Sequence, residues 1–146
     1  MRDTFSNLLY HLILSTECSS PAPDFSCGSE LHAEFADVLR NLGGELVVAG
    51  GTNDHIHLLA ELPANITVAD AAQRVRHESA ARVERALSNG KTFRWKRIDA
   101  LFSVSAATGY ALAAYIRNQQ EHHRICSFEE ELREFAGRER MPQASA

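Results

Sequence analysis

The sequence predicts an α+β fold, an α/β sandwich in which an antiparallel sheet carries helices on one face. Three observations point there. The segments follow the order β-α-β-β-α-β, a glycine-rich turn joins the two middle strands, and apolar residues recur at helical spacing in both intervening segments. This order is the split βαβ arrangement, ferredoxin-like or RRM-like, here with a further helix added at the C-terminal side.

Each element has its own signal. Phe5 to Ser15 is rich in Leu, Ile, Tyr and Phe and reads as a buried strand. Thr16 to Ser29, with its Ser, Pro, Cys and Gly, reads as a loop. Ser29 is the expected cap of a helix carrying Leu31, Phe35, Val38, Leu39 and Leu42, stopped by Gly43 and Gly44. Glu45 to Ala49 is a strand, residues 50–54 are turn chemistry, and His55 to Leu62 completes a hairpin. Thr67 caps a long helix to about Leu87, and Ser88-Asn89-Gly90 closes it. Phe93 to Val104 is β-prone and ends in the strand Leu101–Val104. Ser105 caps a helix reaching His123, and Phe128 to Phe135 suggests a last, acidic one. No repeat or internal linker interrupts the chain, so 1–137 reads as one domain and 138–146 as a flexible tail.

A chain of 146 residues, 45% hydrophobic and 23% charged, can bury a core and is no disordered tail. No apolar run reaches the roughly 18 residues of a membrane helix. The start Met1-Arg2-Asp3-Thr4 lacks a signal-peptide layout, so the protein is expected in the cytoplasm. Cys18, Cys27 and Cys126 form no CxxC pair, and reduced thiols are the default. Net charge is -4, yet Arg74, Arg76, Arg82, Arg85, Lys91, Arg94, Lys96 and Arg97 crowd one stretch that holds only Glu78 and Glu84 as acids. Such asymmetry builds a phosphate-attracting face or a solvated helix face. The acids gather later, in Glu129, Glu130, Glu131, Glu134 and Glu139.

Two sets of residues can carry chemistry. His55 and His57, two apart on a strand, put both imidazoles on one face, half of a divalent-metal site. Tyr115 and Gln119, four apart on a helix, share a face with Leu112 and His122, where Leu or Val would serve an ordinary core. An HxHxH hydrolase would need a third histidine where Leu59 stands. A zinc site from His122, His123 and Cys126 is disfavoured, because neighbouring helical residues point about 100° apart. That segment is expected to be a solvated helix end.

Taken together, these motifs resemble the single-tyrosine HUH transposases of insertion sequences and their REP-associated tyrosine transposase relatives, over nearly the whole chain. The marks are Tyr10-His11 to Ser15-Thr16, Asn53-Asp54-His55-Ile56-His57-Leu58-Leu59, Phe102-Ser103-Val104-Ser105, Tyr115-Ile116-Arg117-Asn118-Gln119 to His123, and Ser127-Phe128-Glu129-Glu130-Glu131. The resemblance implies that His55, His57 and Gln119 are metal ligands and that Tyr115 is the nucleophile. It implies Mg²⁺ or Mn²⁺ as cofactor, single-stranded DNA with short hairpins as substrate, and a homodimer with active sites that can form in trans. The expected reaction is cleavage and rejoining of DNA at hairpin-flanked element ends through a 5′-phosphotyrosine. The basic residues from Arg74 to Arg97 would then track phosphates, with Phe93, Trp95 or Tyr110 available for base stacking, although Trp95 also suits a core. The competing expectation is a domesticated module of the same fold that binds hairpin nucleic acid without cutting it.

Overall fold

The computed structural model describes residues 5–17, 23–87 and 92–139. Its elements are β1 (Leu9–Thr16), α1 (Leu31–Asn41), β2 (Glu45–Gly51), β3 (His55–Glu61), α2 (Val68–Leu87), β4 (Trp95–Val104), α3 (Ala106–Arg117), α4 (Gln119–His122) and α5 (Phe128–Glu139). The four strands form one antiparallel sheet in the order β2-β3-β1-β4. This is the arrangement the element order predicts, with β1 and β3 central. None of the described helices is long and apolar enough to cross a membrane.

Several boundaries differ from the sequence reading, each for a local reason. β1 starts at Leu9, and Phe5 is almost wholly exposed. Helix α1 takes Glu30 as its N-cap with no side-chain cap bond, and Ser29 contributes only backbone bonds, accepting from His32 and donating to Ser26. The C-terminal end of α1 follows the glycine rule. Gly43, at φ 85°, donates to the Arg40 carbonyl while Gly44 donates to that of Leu39, a Schellman closure.

Gly50 and Gly51 belong to β2 rather than to the turn, which narrows to Thr52–Asp54. A Cβ on Gly50 would lie 2.2 Å from the Ile116 carbonyl oxygen. The glycine is there because α3 crosses the strand at backbone distance. Strand β4 runs the full length from Trp95, since its first half pairs with the end of β1 across two register shifts. The predicted helix to His123 is two elements, because Asn118 leaves helical geometry at φ -101°, ψ 21°. Caps at Thr67 and Ser105 stand as expected: Thr67 Oγ1 accepts from Asp70 N–H, and Ser105 Oγ accepts from Thr108 N–H.

The sheet has two differently furnished faces. On the first, Leu12, Leu14, Ile56, Leu58 and Ala60 pack against Phe35, Val38 and Leu39 of α1 and Ala71, Ala72, Val75 and Val83 of α2. Trp95 belongs to this core, stacked on Phe25 at 5.3 Å with its indole N–H donating to Ser79 Oγ at 2.9 Å. Phe93 is buried beside it, so of the three stacking candidates only Tyr110 is exposed. On the second face, α3 lays Ala113 and Ile116 over Val48 and Leu59. The same face carries His11, His55 and His57, because alternate residues of β1 and β3 point there.

Candidate metal and nucleophile centre

The histidine pair sits where register and alternation put it. Ser15 pairs with His55 and Ile13 with His57, so both imidazoles emerge beneath the C-terminal helices, at 1% and 0% exposure. Tyr115 comes from the last turn of α3, half-buried, its ring 6.1 Å from that of His57. Gln119 comes from the turn beyond the Asn118 break, fully buried, its Oε1 2.9 Å from His55 Nε2. The four residues singled out as ligands and nucleophile therefore meet within one chain.

Three further residues complete the cluster. Helix α5, capped by Ser127 Oγ accepting from Glu130 N–H, buries Glu131 and Phe135 against the sheet and stacks a half-buried Phe128 on His55. Glu131 reaches the centre: one carboxylate oxygen lies 2.9 Å from His57 Nε2, and the other accepts from Tyr115 OH and from Gln119 Nε2 at 2.9 Å. His123 sits 4.6 Å ring to ring from His55, with Nε2 3.0 Å from Gln119 Oε1. The expectation of a solvated end there is corrected, because the chain folds back through Cys126 to seat α5. His11 lies behind His57, Nε2 to Nδ1 at 2.8 Å.

The sequence held a signal for Glu131. In Phe128-x-x-Glu131-x-x-x-Phe135 the carboxylate occupies the apolar stripe of an otherwise acidic helix. A charge on that stripe needs a partner. His11 had a weaker signal, a polar residue inside a strand of Leu and Ile.

Electrostatics follow from burial. His57 is pushed below the ordinary imidazole range chiefly by desolvation. His11 is pulled down to about 3, first by burial and then by its neighbour His57. Burial would raise the Glu131 carboxyl, but hydrogen bonds from His57, Tyr115 and Gln119 hold it below the usual carboxylate range. Tyr115 is pushed well above an ordinary phenol by burial, then by its bond to the Glu131 carboxylate.

The hydrogen-bond inventory tests whether a cation fits. His123 Nδ1 is 2.7 Å from the Cys126 carbonyl, which only accepts, so Nδ1 carries the hydrogen. His55 Nδ1 faces the Asp54 carboxylate at 2.8 Å, and that bond holds the Asp54 carboxyl down to about 2. In neutral rings both Nε2 atoms then offer lone pairs, and both face Gln119 Oε1. The amide cannot turn round, since its Nε2 donates to Glu131. Electron-rich atoms thus converge on one point. His55, His57, His123 and Glu131 can each direct a ligand atom there, all within 4.8 Å of one another. The residues fit a divalent cation.

The basic residues divide. Arg82 is tied to Glu34 at 3.0 Å and Asp37 at 2.7 Å, joining α2 to α1. Arg74 pairs with Glu78, and Arg97 with Asp99. Arg85 lies in the last turn of α2, and Lys91 falls outside the described residues. Arg76, Arg94 and Lys96 line a cleft of about 450 Å³ between α2 and the start of β4. That strand start lies at the same sheet end as His55, since Ser15 pairs with both Arg97 and His55.

Against known proteins, a family model described as "Transposase IS200 like" matches residues 4–119. The match takes in both histidines, Tyr115 and Gln119, and stops short of His123 and Glu131. No curated protein matches the chain. A 1.90 Å crystal structure of a protein assigned as a transposase from Deinococcus radiodurans R1 superposes with a TM-score of 0.58 at 24% identity, covering 82% of this chain and 95% of that one. A REP-associated tyrosine transposase bound to a REP hairpin superposes with a TM-score of 0.54 at 11% identity, covering 84% and 73%. At these identities the two structures speak for the fold.

Proposed function

The chain belongs to the IS200-like transposase family, and from that premise we propose that it cleaves and rejoins single-stranded DNA at hairpin-flanked ends with Tyr115 as nucleophile. The observation carrying this reading is the meeting of Tyr115 with His55, His57 and Gln119 in one buried cluster that fits a cation. The REP hairpin held by the structural neighbour supports a hairpin-bearing substrate. The four residues lie together within one chain, which supports an active site formed in cis.

His55, His57 and Gln119 would hold a divalent ion, Mg²⁺ or Mn²⁺. When bound, it supplies positive charge that polarises the scissile phosphate and offsets the charge developing on its oxygens. The remaining work falls to the chain. Tyr115 Oη is aimed by its hydrogen bond to Glu131, which is also the nearest acceptor for the phenolic proton. The oxygen attacks phosphorus in line, the Oη–P bond forms, and the P–O3′ bond breaks. The product is a 5′-phosphotyrosine and a 3′-oxygen that takes up a proton. The new phosphodiester keeps the energy of the old one, so attack by another 3′-OH rejoins DNA without ATP. Arg76, Arg94 and Lys96 would hold the strand's phosphates at the same end of the sheet.

Incubation with a hairpin-flanked single-stranded oligonucleotide and Mn²⁺ should give a covalent protein–DNA band on a denaturing gel. Tyr115→Phe should remove it, a loss of roughly 10⁴-fold or more. Tyr110→Phe, on the same helix but exposed, should leave it. Hairpin binding with no band in the unsubstituted protein would favour the non-catalytic module.

A further inference from the structure

We propose that Glu131 is a direct ligand of the divalent cation, and that with His123 it extends the expected set into a carboxylate-containing centre. The inference rests on the reading above that the cluster holds a cation. It concerns a helix beyond the family match, which ends at residue 119.

Glu131 is fully buried, and one of its oxygens touches the whole imidazole group. Oε1 lies 2.9 Å from His57 Nε2, 3.2 Å from His123 Nε2 and 3.7 Å from His55 Nε2. Oε2 is already occupied by Tyr115 OH and Gln119 Nε2, while Oε1 takes the hydrogen bond from His57 and turns its remaining lone pair toward His123 and His55 Nε2. His123 donates through Nδ1 to a carbonyl, which leaves its Nε2 electron-rich and facing Oε1. Two electron-rich atoms at this separation call for a positive charge between them. A buried carboxylate is expensive unless paired or on a metal, and no Lys or Arg among the described residues pairs with this one.

A carboxylate changes the centre's character. Three neutral donors leave an ion its full charge, whereas one anionic oxygen holds the ion more tightly and favours harder cations such as Mn²⁺ and Mg²⁺. The two oxygens also divide the labour. Oε1 takes the ion while Oε2 keeps Tyr115 and Gln119 in register, so one side chain sets the distance between cation and nucleophile.

The test is Mn²⁺ titration of the metal-stripped full chain by calorimetry, with unbound Mn²⁺ read by electron paramagnetic resonance. Glu131→Gln keeps an acceptor for Tyr115 but removes the charge, and should weaken Mn²⁺ binding by about tenfold or more. His123→Ala should weaken it less. Glu131→Gln binding Mn²⁺ as tightly as the parent, while His57→Ala loses it, would overturn the proposal and leave the cation reading standing. No Mn²⁺ binding by the parent chain would overturn both. Should Glu131→Gln fail to fold, the parent's infrared carboxylate stretch decides: a shift on adding Mn²⁺ supports ligation, and an unchanged band refutes it.

Discussion

On β1 and β3, consecutive residues are equally buried yet carry opposite chemistry. Leu12, Leu14, Ile56 and Leu58 face α1 and α2 and meet only carbon, apart from a few edge contacts. His11, His55 and His57 face α3, α4 and α5 and meet nitrogen and oxygen. The apolar face gains stability from burial alone. On the polar face, burial costs free energy unless every donor and acceptor is matched. There the matching is nearly complete and still leaves lone pairs converging on one point, together with a buried His122 Nε2 that has no hydrogen-bond partner. A fold needing only a core would have put leucines on both faces. The difference marks one face as scaffold and the other as chemistry.

Neighbouring substitutions on β3 give the sharpest break of this comparison. Leu58→Ala should cost about 2–5 kcal/mol of unfolding free energy, as large-to-small core changes do, and leave Mn²⁺ affinity of the folded protein within about twofold. His57→Ala should weaken Mn²⁺ binding by about tenfold or more. Urea unfolding and calorimetric titration read the two effects separately. If Leu58→Ala loosened Mn²⁺ as much as His57→Ala while remaining folded, the faces would not be independent.

The scaffold face was legible in the sequence, because alternation in strands and the i, i+3, i+4 stripe in helices are local patterns. Val38, Leu39, Ala71 and Val75 announce their burial without knowledge of the fold. His55, His57, Tyr115 and Gln119 were legible through spacing and resemblance. The rest of the centre was legible only in part: the stripe of α5 hints that Glu131 is buried, and nothing local says against what. Glu131 is distant from His57 in sequence and lies in a run of acids, so its burial depends on how α5 returns over the sheet. That return is set by the break at Asn118 and the turn through Cys126, which a continuous helical periodicity conceals. Gly50 and Gly51 misled for a similar reason. They read as a turn, but Gly50 serves a close approach of α3 and Gly51 one of the β3 backbone at His55, which only tertiary structure reveals.

A smaller effect separates the faces by pH. His11, at about 3, and His57 are held neutral in the folded protein mainly by burial, whereas in the unfolded chain each titrates near 6.5. Between about pH 6.5 and 3 the unfolded chain therefore binds more protons, and stability falls as pH falls through that window. For His11 the slope approaches about 1.4 kcal/mol per pH unit, and His57 adds to it in the same direction. Glu131 and Asp54 are shifted down, so their contribution is present above the ordinary carboxylate range and is lost only at lower pH. Urea midpoints of metal-stripped protein should drop from pH 7.5 to pH 5, and His11→Leu should flatten part of that drop. A level profile between those pH values would mean that the buried histidines do not behave as neutral groups, and the contrast between the faces would lose its electrostatic half.

The smallest effects come from the basic residues, which the same contrast sorts. Arg82 is 22% exposed and bonded to two carboxylates of α1, so it belongs to the scaffold. Arg94 and Lys96 are exposed at the sheet end that carries His55. A phosphate contact releases counterions, and each one lost should reduce the salt dependence of single-stranded DNA binding by about 0.7 in log–log slope. Lys96→Ala and Arg94→Ala should each show that reduction in fluorescence anisotropy across a salt series. Arg82→Ala should keep the parent slope and cost no more than about 1 kcal/mol in stability, since its ion pairs are partly solvated. If Arg82→Ala lowered the slope as Lys96→Ala does, the nucleic-acid surface would reach beyond the Arg76 cleft to the side of α2 that meets α1, and Arg82 would not belong to the scaffold alone.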